Sequence, residues 1–296
     1  MMSRLSVSAG LLAVAFLSVA CDINVGKNGL SVDVAHGKAN DEWKRSYKVT
    51  PGGRLDIVNV SGPMTLLAST GPDVEIVATR EVRAATDEAA GDMLKKSQMI
   101  EQVSPDRVSI ESRPDRGNGI GQRMTVDITA RVPAGLIVSL KSQDGGVRFE
   151  GVAGTIAAQT VNGPIVGRDV DGAVTASTTN GGIRVEIAKL TANSSLTTVN
   201  GPVELAVADD LNAALEAHVV NGAVLVAEGF PLAATERTGQ RVAGTINKGG
   251  PTIVAQTTNG AVRIKTGKLD FFEGPRGRGR RGAPPPPPRP PLPPRP

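Results

Sequence analysis

The chain has 296 residues, 40% of them hydrophobic, with 35 glycines, 21 prolines and a formal charge of +4. It holds one cysteine, two histidines, one tryptophan, one tyrosine and five phenylalanines. That inventory excludes a disulfide framework and a His/Cys metal centre, and it leaves few of the aromatic platforms on which sugar-processing sites usually rest.

In chain order, Arg4 precedes an apolar run from Leu11 to Ala20, too short to span a bilayer and the right length for the hydrophobic region of a secretory signal. The run ends at Cys21. A sole cysteine at this point resembles the bacterial lipoprotein pattern, which implies a diacylated Cys21 and membrane attachment without a transmembrane helix. Ser18 stands where that pattern prefers a large aliphatic residue, and Ser18-Val19-Ala20 equally suits ordinary signal cleavage. Asp22 resembles the inner-membrane retention signal of some lipoproteins. Residues 1–20 therefore read as signal peptide and 21–42 as a polar, Gly-dotted tether that includes His36.

Folding is expected from Trp43. Residues 47–63 alternate as a strand around a Gly turn and close with Ser61-Gly62-Pro63. Val74, Ile76 and Ala78 mark another strand. Over 86–103 the period changes: Met93, Leu94, Ile100 and Val103 can share a helical stripe, with Thr86 or Asp87 as N-cap, Pro105 as a stop and Gly91 as a weak point. Strands return at Val108 to Ile110 and at 125–132, separated by a charged, Gly-containing loop over 113–123.

From residue 144 a pattern recurs. The turn residues Asp144, Asn162, Asn180, Asn200, Asn221 and Asn259 are each followed by Gly, and three positions later by Val147, Ile165, Ile183, Val203, Val224 or Val262. Five positions later stand Phe149, Gly167, Val185, Leu205, Val226 and Ile264, so apolar residues two apart share one face of a strand. Most of these turn asparagines are preceded two positions earlier by Thr. A period of about 18–21 residues predicts an all-β, single-chain β-solenoid over 43–272, with equivalent positions stacked. Asn and Gly suit corners because each tolerates positive φ, and stacked Asn side chains can hydrogen-bond along the column. The competing reading is an antiparallel meander, because Asn-Gly is also a hairpin signal and Asp171-Gly172 falls midway between two corners.

The opening "GGRLDIVNVSGPM", the helical insertion, the passage "VPAGLIVSLKSQDGGV" and the recurrent Thr-x-Asn-Gly-x-Val together resemble a bacterial envelope family of β-strand-repeat or adhesin-like domains of unknown function. The resemblance covers about residues 43–269. It implies a β-helical, envelope-associated protein and brings no catalytic residues with it.

Candidate chemistry is sparse. His218 sits before a corner, metal-ligand spacing is absent from the sequence, and no cofactor is expected. β-Helical polysaccharide lyases and hydrolases supply the enzyme alternative, with Asp144, Glu150, Asp169, Asp171 and Glu186 as candidate paired carboxylates. Their other reading is that Asp144 and Asp171 replace Asn at corners while the rest are solvated.

The C-terminal segment 273–296 carries six arginines, Arg276, Arg278, Arg280, Arg281, Arg289 and Arg295, and eleven prolines. Without those arginines the chain has 27 basic against 29 acidic residues. The tail reads as a disordered, partly polyproline-II arm that solubilises the chain or docks to anionic envelope components such as phosphorylated glycolipid, wall polymer or phospholipid headgroups. Export argues against nucleic acid as its partner. The expected function is a non-enzymatic envelope lipoprotein whose solenoid is an adhesion or binding surface for glycan, lipid or surface protein. A polysaccharide lyase or hydrolase is the alternative, and an envelope-stress or scaffold component is a third reading.

Overall fold

The computed structural model describes residues 22–26, 29–33, 37–115 and 122–269. Cys21, His36 and the six tail arginines lie outside them. Among the described residues no helix is long and apolar enough to cross a membrane.

The protein is a β-solenoid of flattened coils, each made of one strand entering the Asn-Gly corner and one leaving it. The corner stacking is parallel: Asp144 aligns with Asn162, Asn162 with Asn180, and Asn180 with Asn200. That excludes the meander. Asp171-Gly172 is the opposite corner of the same coil, with Gly172 stacked on Gly154. It falls midway between Asn162 and Asn180 because it lies half a coil from each.

Numbered along the stack, coil 1 consists of Arg107–Arg113 and Arg123–Val132, and coil 2 of Arg54–Ser61 and Met64–Ala68. Coil 3 is Leu136–Asp144 with Val147–Glu150. Coil 4 joins Ala153–Asn162 to the start of Ile165–Asn180, and coil 5 joins the end of that strand to Ile183–Lys189. Coil 6 is Ser194–Asn200 with Val203–Val207, coil 7 is Thr252–Thr266, and coil 8 is Ala213–Val226.

Stack order departs from chain order at both ends. Coil 2 lies between coils 1 and 3, since Leu55 pairs with Val108 on one side and Val138 on the other. Coil 7 lies between coils 6 and 8, where Asn259 aligns with Asn200 and with Asn221. The interval of 38 residues from Asn221 to Asn259 is thus a return of the chain into the stack rather than two further coils.

Antiparallel strands close the ends. Gln98–Ser104 pairs with coil 1 on one face, and Val74–Ala84 followed by Gly37–Tyr47 on the other. At coil 8, Arg241–Ile246 and then Leu232–Arg237 continue the sheet. Regular strand pairing therefore starts at Gly37, ahead of Trp43, and Asp22–Gly26 pairs with Gly29–Asp33 within the stretch expected as tether.

The one helix among the described residues, Asp87–Lys96, is shorter than the sequence suggests. Thr86 caps it by accepting from the Ala89 N–H, but Ser97 turns into extended backbone with ψ 138° and ends it. Ile100 and Val103 belong to Gln98–Ser104, which forms a hairpin with Arg107–Arg113, so Pro105 sits in the hairpin turn and does not terminate a helix. Ala90, Met93 and Leu94 bury the helix against the antiparallel end of the stack.

The core is a column of Val, Ile and Leu, with Phe149 inside the coils and Tyr47 at the antiparallel end as its buried aromatic residues. Phe149 is fully buried, and a Cβ on Gly167 in the next coil would lie 2.2 Å from its ring. Glycine therefore replaces the aliphatic residue that this position carries in the following coils. At the corners the coils come as close, since a Cβ on Gly201, whose φ is +155°, would lie 2.2 Å from the Gly181 carbonyl oxygen. Replacing Gly201→Ala should cost about 2 kcal/mol or more in urea unfolding, because backbone would have to move. Gly91→Ala should stabilise by about 0.5–1 kcal/mol, as a Cβ there meets no atom within 4 Å and the site is mid-helix.

Candidate functional site

Two ladders run along the Asn-Gly corner, one inside and one outside. Inside, Thr160, Thr178, Thr198 and Thr257 are buried, and each donates its hydroxyl to a corner glycine carbonyl of the preceding coil: Gly145, Gly163, Gly181 and Gly201, at 2.8–3.0 Å. The threonine of the Thr-x-Asn-Gly motif is thereby explained, because a buried carbonyl needs a donor. Coil 3 departs from the rule. Asn59 of coil 2 already donates to the Gly62 carbonyl at 3.2 Å, and Ser142 Oγ is buried without a partner.

Outside, five amide bonds connect the six corner residues. Asn221 donates to Asn259, Asn259 to Asn200, Asn200 to Asn180, Asn180 to Asn162, each at 2.9 Å, and Asn162 donates to Asp144 at 2.7 Å. All run in one direction, so a carboxylate, which only accepts, is the natural last member. None of the corner asparagines has positive φ; among the described non-glycine residues only Asp169 and Asn247 do. The positive φ belongs to the following glycines, all but Gly181, and asparagine is chosen for its side-chain amide.

The strands that enter this corner carry the candidate binding face. In coil 4 the residues alternating with the buried ones are Thr155, Ala157, Gln159 and Val161, and in coil 5, after the buried Ala173, they are Thr175, Ser177 and Thr179. Coil 6 presents Ser195, Thr197 and Val199, and coil 7 presents Thr252, Val254, Gln256 and Thr258. Register places these side by side: Thr175 beside Ser195, Thr197 beside Gln256. The Gln256 amide donates to Thr197 Oγ1 at 3.1 Å. Four adjacent coils thus offer hydroxyl, amide and methyl groups and no ionisable side chain. Charge reappears only beyond them, at Lys141 of coil 3 and at Glu216 and His218 of coil 8. Val161, Val199 and Val220 are exposed and edge the face along the asparagine ladder.

The opposite face is charged, with Arg184 at 3.0 Å and Arg263 at 3.6 Å from the one carboxylate of Glu204. The candidate carboxylates do not form one pair. Asp144 ends the amide ladder; Asp171 is held by Lys189 at 2.9 Å, a contact that raises the lysine pKa. Asp169 and Glu186 border one hollow with Asp209 and Asp210, where Lys268 stands 3.6 Å from Asp169 and the Leu269 N–H donates to Glu186. Glu150 sits on the charged face of coil 3. Another polar hollow, near coil 1, is lined by Glu81, Arg83, Arg123 and Asp127; desolvation, with Glu81 adding to it, raises the Asp127 pKa. Among the described residues no cluster of three or more His, Cys, Asp or Glu is placed to hold a metal ion.

Residues 127–265 match the family model Toastrack DUF4097. These residues form a toastrack domain. The match begins in coil 1 and ends in coil 7, so it takes in both corner ladders and the uncharged face. Among solved structures, the chain is similar to a candidate cell adhesion protein from Clostridium sporogenes, at 12% identity, 77% coverage of this chain, 100% of that one and a TM-score of 0.42. It is also similar to a candidate adhesin from Bacteroides fragilis, at 14% identity, 76% and 97% coverage and a TM-score of 0.29. No curated protein matches the sequence.

Two outcomes follow for the toastrack ladders and the polar hollow. Thr198→Val should cost about 1–3 kcal/mol in chemical unfolding by leaving the Gly181 carbonyl without its donor, whereas Ser142→Ala should be neutral or stabilising. A folded-state pKa raised above the unfolded value makes Asp127 favour folding below its unfolded pKa and lose that contribution as pH rises through the folded pKa. Thermal melts of Asp127→Asn should therefore show a higher Tm than the parent at pH 7 and no gain at pH 3.

Proposed function

We propose that the protein is a non-enzymatic cell-envelope lipoprotein, anchored through lipidated Cys21, whose uncharged coil 4–7 face binds a neutral polar polymer such as an envelope glycan. One observation carries the reading: a regular array of Thr, Ser and Gln interspersed with Ala and Val, edged by the asparagine ladder, spans four coils without an ionisable or aromatic side chain. Hydroxyl and amide groups on stacked strands recur at about 4.8 Å across the sheet, which suits repeated hydrogen bonds to an extended chain of like groups. The absence of charge on this face disfavours polyanions there. Anionic envelope components fall to the tail arginines Arg276, Arg278, Arg280, Arg281, Arg289 and Arg295.

The direct test is co-sedimentation of the full chain with insoluble envelope glycan. Placing two charges on the face, Thr175→Lys with Thr197→Lys, should lower binding at least tenfold while leaving circular dichroism and melting near the parent's. Unchanged binding by that folded variant would remove the face from the function. Labelling with a fatty-acid analogue in cells should be lost in Cys21→Ser, with the protein moving from the membrane to the soluble fraction.

A further inference from the structure

The charged face carries a hollow of about 410 Å³ near its C-terminal end. Its apolar walls are Leu225, Val226, Ala227, Ile264 and Leu269, and half of the Leu225 side chain is exposed. Arg184, Arg263 and Lys265 stand around those walls with Glu204 as the one carboxylate, so the lining is apolar with an excess of positive charge.

The chain itself ends its described course at this hollow. After coil 7, the Gly267 N–H donates to Val207 of coil 6 at 3.0 Å, Lys268 pairs with Asp169, and the Leu269 N–H donates to Glu186 of coil 5. These contacts carry the backbone across the stack and bring Leu269 to the wall of the hollow. The next four residues are Asp270, Phe271, Phe272 and Glu273. They join two acids to two rings, in a chain with only seven aromatic residues, immediately before the arginine-rich arm.

We propose that Asp270–Glu273 docks into this hollow of its own chain, the two rings covering Leu225, Val226 and Ile264 and the two acids facing the basic rim. Lengths agree. Four extended residues reach about 13 Å, and the three coil spacings from coil 5 to coil 8 come to about 14 Å. Charge agrees as well, with two carboxylates meeting a rim on which Arg184 and Arg263 share the one carboxylate of Glu204. Because the segment is attached at the wall, docking is intramolecular and needs only modest intrinsic affinity. The docked segment seals the apolar patch and sets the point from which the proline-arginine arm leaves the solenoid.

The test uses the full chain and an environment-sensitive apolar dye such as anilinonaphthalene sulfonate. Phe271→Ala with Phe272→Ala should raise dye fluorescence several-fold with the circular dichroism spectrum unchanged, and a synthetic Leu-Asp-Phe-Phe-Glu-Gly peptide added in trans should reverse it. Asp270→Lys with Glu273→Lys, which keeps both rings, should give the same rise. Parent-level fluorescence in both double variants would overturn the proposal. So would a rise on simple dilution of the parent accompanied by dissociation in ultracentrifugation, which would place the segment on a second copy instead.

Discussion

The structure depends on how one carbonyl group is satisfied. At the corner glycines Gly145, Gly163, Gly181, Gly201 and Gly260 the neighbouring coil approaches so closely that a single Cβ would collide with the carbonyl. At Gly145, Gly163, Gly181 and Gly201 a threonine hydroxyl from that coil supplies the donor, whereas in coil 8 Val219 stands at the threonine position. Glycine, threonine and asparagine are therefore one device: glycine permits the approach, threonine satisfies the buried acceptor and asparagine continues the bonding outside. Where one member changes, its neighbours show why. Asn59 takes the carbonyl that Ser142 would need, and Asp144 closes the amide ladder with a group that only accepts.

Much of this was legible in the sequence. The period of the corners announced stacked coils, and the apolar residues three and five positions later gave the core face. The threonine before most asparagines was visible as a pattern, but its purpose was not, since its partner lies in another coil. The order of the stack was hidden for a related reason. A period reveals which segments are equivalent and not which are adjacent, so the return of Thr252–Thr266 between coils 6 and 8 and of Arg54–Ser61 between coils 1 and 3 left no local mark. Ile100 and Val103 looked helical because a seven-residue strand pattern can also fit a helical stripe, and Ser97 decided the matter through its own buried bonds. The strand pair Asp22–Gly26 and Gly29–Asp33 was missed although Asn28-Gly29 stands between alternating Ile23, Val25 and Leu30, Val32.

The uncharged face was legible in part. Its residues alternate with the buried positions of each strand, but only the stack order shows that four charge-free strands lie side by side. The swapped ends also have a physical consequence. The first and last coils in the chain, coils 2 and 7, are both interior to the stack, so neither edge is made by the coil next to a chain terminus, and both edges are extended by antiparallel strands. Such an arrangement limits the exposed parallel edges through which solenoids pair with one another.

Engineered disulfides test that arrangement most directly. In a Cys21→Ser background, Val199→Cys with Thr258→Cys places two thiols on adjacent coils about 4.8 Å apart at Cα, within the range a disulfide spans. Val199→Cys with Val220→Cys places them two coils apart, about 10 Å, and outside it. Mild oxidation should cross-link the first pair nearly completely and leave the second as free thiols in the monomer. Efficient cross-linking of the second pair, with none in the first, would show the coils stacked in chain order and contradict the account.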